Sequence, residues 1–565
     1  MYCKAVTSLS DPKNQKISGI PGKLSIAAPF PESLFVGSRT NSMQFSSLTN
    51  RLSRWQWAGL ASVFIIAFIT AFQYPVSPQV RDPVPISNEG SESAGEHASP
   101  ATPQVVSKFH LLAPASGFHF RLCRLLASAM ALGYPVPTLN GWMKEGELDA
   151  SKTHLAKVRT VMHYLNNLPP SSDDDLVLMI DGYDVVFQIP ADVLIERYFD
   201  VINKANDRLA MRFKGKFEKE EDMPRLSILF GPEKACYPPE QNRIGCWAIP
   251  RKLDIPLGAY GPLDGNYAHN VPIWLNSGTI MGPVKDMRLM FAATLDLIAK
   301  RYSREGDWSD SDQLYMSEVW GMQEYSRTIA EYQEYFHGDI DINTIWPTDY
   351  EKVLPDIAPG QRTEYHIGID HWSSLFQTRA GSDHVLDMLT FDQFHEQDNA
   401  TTYATVHKNA ASLPNFKPFT IDLPANLASS ITRILRMIEP VVGTVPSITQ
   451  IRLETNLVSK EVYGMFHSTG GKDYLDKLWD QSWFYPYVRP LIEAMVPRVS
   501  EQPIGTADGR IWVSSHKLAV NSTEAHSVAD AGAWADIDGG WLTWDHLCGK
   551  FEKEVFEGYT PPMDD

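Results

Sequence analysis

Two carboxylates three residues apart interrupt an apolar stretch in LVLMIDGYDVVF, Leu176 to Phe187. Asp181 and Asp184 are hard oxygen donors. On one short turn they can share a divalent cation that also holds the phosphates of a nucleotide. Acids set just past a buried strand sit where an α/β sheet opens into its ligand crevice. Asp and Gly are also ordinary turn residues, so the spacing alone leaves a plain strand end open as the other reading.

The elements that would position such a pair can be read from residue 108 onward. FHLLAPA (Phe109 to Ala115) is a short apolar strand, and Leu122, Leu125, Leu126 and Met130 mark the helix after it, with Gly133 as its stop. YPVPTL is a second strand candidate, placed at an edge by its prolines. Leu155, Val158, Met162 and Leu165 share a helix face, the Asp181 strand follows, and Pro190 and Asp192 suit the first turn of another helix. This βαβαβ order predicts a mostly parallel sheet with helices on both faces. Further strands are expected in RLSILFG and in YHIGIDHW, and a helix over Val284 to Ile298. Beyond about residue 415 the alternation fades into helix signals and loop-borne aromatics.

With 565 residues the chain holds more than one domain, or one large domain with extensions. Its net charge of -18 argues against nonspecific nucleic-acid binding, which draws on Lys and Arg. Trp55 to Tyr74 reads WQWAGLASVFIIAFITAFQY, without an acid or base, long enough for a membrane helix and bounded by aromatic residues. Lys and Arg dominate before it and acids after it, which predicts a single-pass type II orientation with the catalytic part in the lumen of the Golgi or endoplasmic reticulum. A cleaved signal peptide and a buried core helix are the alternatives. The expected organisation is a cytosolic tail over 1–54, a signal anchor over 55–74, a Pro- and Ser-rich stalk over 75–107, a catalytic domain over 108–415 and an accessory region over 416–565. Asn399 and Asn521 head N-x-S/T tripeptides on the lumenal side. Cys236 and Cys246 form either a disulfide or two separate buried thiols; Cys123 falls in a helical pattern, and Cys548 has no assignment.

Four further segments line up with the acid pair: ILFGPEKACYP, WLNSGTIMGP, SDQLY and IDHWSSLFQT. In that order, with LMIDGYD ahead, residues 108 to 412 resemble the glycosyltransferase domain of the procollagen lysyl hydroxylases and, more distantly, the procollagen galactosyltransferases. The resemblance implies an α/β GT-A fold, a Rossmann-like sheet that binds a UDP-sugar with Mn²⁺. It implies that Asp181 and Asp184 ligate the metal, joined by a His on an H-x-N segment, here His407 with Asn409. The family usually has Gly where Lys408 and Ala410 stand, and His371 is the next candidate. Asn276, with Ser277 and Gly278, matches a polar turn that contacts acceptor or donor; Asp312 and Gln313 match an acidic segment at the sugar or acceptor. An Asn-Ser-Gly turn and a helix N-terminal acid are the plain readings of those two segments. Asn140, Gly141 and Trp142 resemble the segment at the nucleotide base. Lys157 and Arg159 follow on a helix that could approach phosphate, though such residues are ordinarily solvated. Tyr237 replaces the family's Trp in its C-W-P segment.

The lysyl hydroxylases end in an Fe(II) oxygenase domain with an H-x-D motif, and no H-x-D occurs in residues 416–565. That region is expected to be a mostly helical extension. The function implied is transfer of a hexose from a UDP-sugar to a hydroxyl of a glycan or protein. The rivals are a noncatalytic lectin-like or chaperone module on the same fold and a metal-dependent nucleotide-sugar phosphohydrolase.

Overall fold

Strand β3, Leu176–Ile180, shows how the sequence builds its layers. All five residues are buried, and they alternate between two cores. Leu176, Leu178 and Ile180 pack into one, Val177 and Met179 into the other. A strand buried on both faces must read as continuous apolar sequence, as this one does. The computed structural model describes residues 105–217, 223–253, 255–333, 340–395, 398–519 and 527–557. These residues belong to one compact unit of mixed α/β architecture.

Its centre is a ten-stranded sheet. β1 (Val105–Pro114) pairs in parallel with β3 on one edge. Its other edge is shared between β2 (Thr138–Asn140) and a strand from far downstream, Arg510–Ser514, both parallel to it. Beyond β3 the sheet turns antiparallel. β6 (Trp274–Pro283) runs against β3 and against β5 (Ile228–Glu233), and Ile367–Ile369 closes that side parallel to β5. Helix α1 (Phe120–Ala131) and helix α3 (Ala191–Arg212) bury apolar residues in the first core. Helices α2 (Ala156–Asn167), α4 (Val284–Arg301) and α5 (Asp312–Tyr332) bury theirs in the second.

The expected fold class is corrected on two counts. No helix among the described residues is long and apolar enough to cross a membrane; the stretch 55–74 that carried this expectation lies outside them. The C-terminal region is not a mostly helical extension. It supplies Arg510–Ser514 beside β1, Gly532–Ala535 beside β2 and Trp541–Thr543 at the sheet's edge. It also adds Met465–His467 to a small three-stranded sheet. These strands are three to five residues long, too short to leave a readable period. WLNSGTIMGP also departs from the expected turn, forming the ten-residue strand β6 with its first nine residues buried. The sheet is therefore mixed rather than mostly parallel.

Cys236 and Cys246 form a disulfide. Cys123 is buried in a helix as expected, but it is bonded to Cys548, 425 residues away. Asn399 lies in the strand Asp398–Val406, and Asn521 lies outside the described residues.

Candidate metal centre and active site

Asp181 follows β3 directly and continues its alternation toward the core that holds α2 and α5. Its backbone N–H donates to the Gly278 carbonyl at 2.8 Å, which fixes the chain as it leaves the sheet. Tyr183, between the two acids, holds the loop after β1. Its hydroxyl accepts from the backbone N–H groups of Ser116 and Gly117 at 2.8 and 2.9 Å and donates to the Gly117 carbonyl at 3.0 Å.

The third member of the cluster is His467. Met465–His467 runs antiparallel to β4 (Val185–Phe187), with His467 opposite Val185. The Ser468 N–H donates to the Asp184 carbonyl at 2.8 Å. The pairing brings the buried imidazole over both acids. Its Nε2 is 3.7 Å from Asp181 Oδ2 and 3.6 Å from Asp184 Oδ1. One ligand atom from each of the three residues lies within 4.8 Å of the others, as binding one ion requires.

The second oxygen of each acid is held by a lysine. Lys157 Nζ donates to Asp181 Oδ1 at 2.9 Å, lies 2.6 Å from Asp312 Oδ2, and donates to the Ser277 carbonyl at 3.2 Å. Lys472 pairs with Asp184 Oδ2 and donates to the Ser468 carbonyl at 2.6 Å. Burial lowers the Lys157 pKa, but the carboxylates of Asp181 and Asp312 outweigh it, so the ammonium stays charged well above the ordinary lysine range. Burial of Asp184 favours the neutral acid; His467 and Lys472 overcome that and hold it ionised below the usual carboxylate range.

The fit to a divalent cation rests on this donor set. Asp184 Oδ1 is buried and has no hydrogen-bond partner, and its 3.6 Å separation from His467 Nε2 is too long for one. Two carboxylate oxygens and an imidazole nitrogen converge on one point, a set suited to Mn²⁺ and tolerant of other transition metals. Gly278 makes the approach possible. A Cβ there would meet His467 Cε1 at 2.1 Å and Asp181 Oδ2 at 2.8 Å.

A second polar group lies beside this centre. Asn276, on β6, donates to Glu233 Oε2 at 2.8 Å and accepts from the Gly278 N–H at 2.9 Å. Gln313 Oε1 accepts from the Ser277 N–H at 3.3 Å and from Asn276 Nδ2 at 3.4 Å. Glu233 is buried, and desolvation outweighs the lowering effects of its Asn276 hydrogen bond and of His467, pushing its pKa up to about 7. Asp312 is the first residue of α5, capped by the Ser311 side chain, and it also faces Lys157. It therefore satisfies both the helix-terminus reading and the site reading.

The sequence expectations thus divide. Asp181, Asp184, Lys157, Asn276, Asp312 and Gln313 form one contiguous network. Asn140 and Trp142 lie at the end of β2. Asn140 and the Gly141 N–H reach Asp536 at 3.4 and 3.1 Å, and the buried Trp142 ring packs edge-on against Phe118 at 5.1 Å. Arg159 turns to Glu147, 3.6 Å away. His407 and Asn409 require correction. His407 is exposed just past the strand Asp398–Val406 and is not in the cluster. Asn409 bonds its own loop, accepting from the Leu413 N–H at 2.9 Å. His371 bonds the Pro272 carbonyl and is not in the cluster either. Sequence reading missed His467, Lys472 and Glu233. HSTGGK offered only a weak signal for the first two: it has Gly470 at the third position after its His, where Ala410 stands in the His407 segment, but Ser468 rather than Gly at the first.

No protein-family model matches the chain, and no curated protein matches it.

Proposed function

We propose that the protein is a Mn²⁺-dependent glycosyltransferase of the secretory pathway that moves a hexose from a UDP-sugar to a hydroxyl of a glycan or protein. The observation that carries this reading is the convergence of Asp181, Asp184 and His467 on one point, with the other oxygen of each acid held by a lysine. The ordered resemblance of the five segments supports the same reading. Two disulfides agree with an oxidising compartment.

Asp181 Oδ2, Asp184 Oδ1 and His467 Nε2 would hold the ion. Bound there, Mn²⁺ supplies Lewis-acid stabilisation of the departing diphosphate. The rest falls to the chain's own residues. Lys157 locks Asp181 and Asp312 in one orientation, so the acids need no reorganisation during the reaction. Asn276 and Gln313 fix the polar floor beside them. Glu233, poised near neutral pH, accepts the proton of the attacking hydroxyl. The new bond joins the acceptor oxygen to the anomeric carbon. The bond to the diphosphate oxygen breaks, and its electron pair leaves with UDP.

The test is a panel of UDP-sugars with Mn²⁺, scored for UDP release with and without hydroxyl acceptors. Release that depends on metal and rises with an acceptor is expected. Metal-dependent release indifferent to every acceptor would favour a phosphohydrolase, and none at all would favour a noncatalytic module.

A further inference from the structure

Phe118 lies on the loop after β1, one residue beyond the Gly117 that Tyr183 holds. Three groups gather on its ring. Trp142 and His546 meet it edge-on at 5.1 and 5.3 Å, and the Lys550 ammonium sits over it at 4.9 Å. His546 and Lys550 come from the C-terminal strap, which begins at Trp541.

That strap is firmly attached. Cys548 is bonded to Cys123 of α1. Arg124, on the same helix, donates from Nε and Nη2 to the Glu554 carbonyl at 3.0 and 2.8 Å. The Lys550 ammonium also lies 4.8 Å from the centre of the Phe551 ring. Aromatic faces attract an ammonium, and such support limits the side-chain entropy lost when it binds an anion.

The two lysines that hold the acid pair are already matched. Lys157 is matched by Asp181 and Asp312, and Lys472 by Asp184. Lys550 is exposed and forms no ion pair with a carboxylate among the described residues. A nucleoside diphosphate brings more negative charge than one divalent ion neutralises, so a further cation beside the loop that borders Asp181 and Asp184 has an evident use.

We propose that the C-terminal strap is part of the donor site, and that Lys550, over Phe118 of the loop that Tyr183 holds, contacts phosphate oxygens of the nucleoside diphosphate. This rests on the transferase reading above. It assigns a role to a segment that lies outside the region of resemblance.

Calorimetric titration of UDP into the full chain with saturating Mn²⁺ tests it. Lys550→Ala should weaken UDP binding roughly tenfold, the scale of one charge-assisted contact. Lys550→Arg should recover most of the loss, and added salt should weaken the wild type more than Lys550→Ala. Melting temperature should fall only slightly, because the side chain is exposed and loses no more than its two ring contacts. If Lys550→Ala binds UDP as tightly as a wild type that binds it well, the strap is no part of the donor site and the transferase reading stands. If the wild type binds no UDP with Mn²⁺, both fail.

Discussion

Replacing Gly278 with Ala adds one methyl group where the Asp181–Asp184–His467 cluster is tightest. Gly278 needs no glycine-only backbone angle, so the effect is steric alone. The new Cβ would lie 2.1 Å from His467 Cε1, 2.7 Å from Nε2 and 2.8 Å from Asp181 Oδ2. Reaching ordinary contact at 3.4 Å requires a displacement of about 1.3 Å. The imidazole has little room to give: it is buried, and its strand is paired on both sides, to Val185–Phe187 and to Phe376–Thr378. Overpacking of this kind costs about 1–3 kcal/mol of stability. A misplacement near 1 Å at a reacting centre costs roughly a hundredfold in rate. The variant should therefore unfold at lower denaturant concentration, bind Mn²⁺ at least ~10-fold more weakly, and lose about two orders of magnitude in turnover. Gly540→Ala is the control, because a Cβ there meets nothing within 4 Å. Denaturant melts and Mn²⁺ titration of both variants read the outcome. A Gly278→Ala protein that keeps wild-type Mn²⁺ affinity would refute the placement of the ion between His467 and Asp181.

His467→Ala should raise the Mn²⁺ concentration for half-maximal UDP release about 10-fold or more, while His407→Ala leaves it unchanged; the reverse ranking would return the third ligand to the Asp398–Val406 strand end. Glu233→Gln should lower kcat by roughly 10²–10⁴ and abolish the rise of wild-type activity through about pH 7. The same substitution has a stability signature. A carboxyl whose folded pKa is raised binds an extra proton in the native state, so its contribution is complete below the unfolded pKa and is lost as pH rises through the folded one. Melts across pH should show the variant gaining on the wild type between about pH 4.5 and 7, by at most about 3 kcal/mol. A constant difference across that range would mean that Glu233 is already ionised at its lower end. Asp312→Ala should lower kcat and kcat/KM together, and equal turnover would leave Asp312 as a helix-terminus acid.

What the sequence made legible follows from chain distance. Asp181 and Asp184 stand on one turn, so a single glance at LMIDGYD pairs them. Lys157 was visible as a residue of a helix that could approach phosphate, although its contact with two acids was not, because lysines on helices are usually solvated. His467 and Lys472 were overlooked for a different reason. Lys472 meets Asp184 across 288 residues, and the strand that carries His467 is three residues long. The H-x-N pattern drew attention to His407 instead, where the neighbouring positions already departed from the family's glycines. Glu233 stood two residues past the expected strand RLSILFG with no role assigned; only burial beside Asn276 gives it chemistry. The C-terminal strands failed the period test for lack of length. Arg510–Ser514 finds its place only because β1 leaves the edge over Val105–Phe109 to be paired.

The central claim is that Asp181, Asp184 and His467 hold one divalent ion and, through it, a nucleotide diphosphate. Electron paramagnetic resonance of Mn²⁺ titrated into the full chain, with and without UDP, reads this directly. A single tight site is expected in the wild type, tightened further by UDP, with loss of that site in Asp181→Asn/Asp184→Asn at unchanged fold. Mn²⁺ that stays fully hydrated beside the wild-type protein at every UDP concentration, or that binds the double variant equally well, would contradict it.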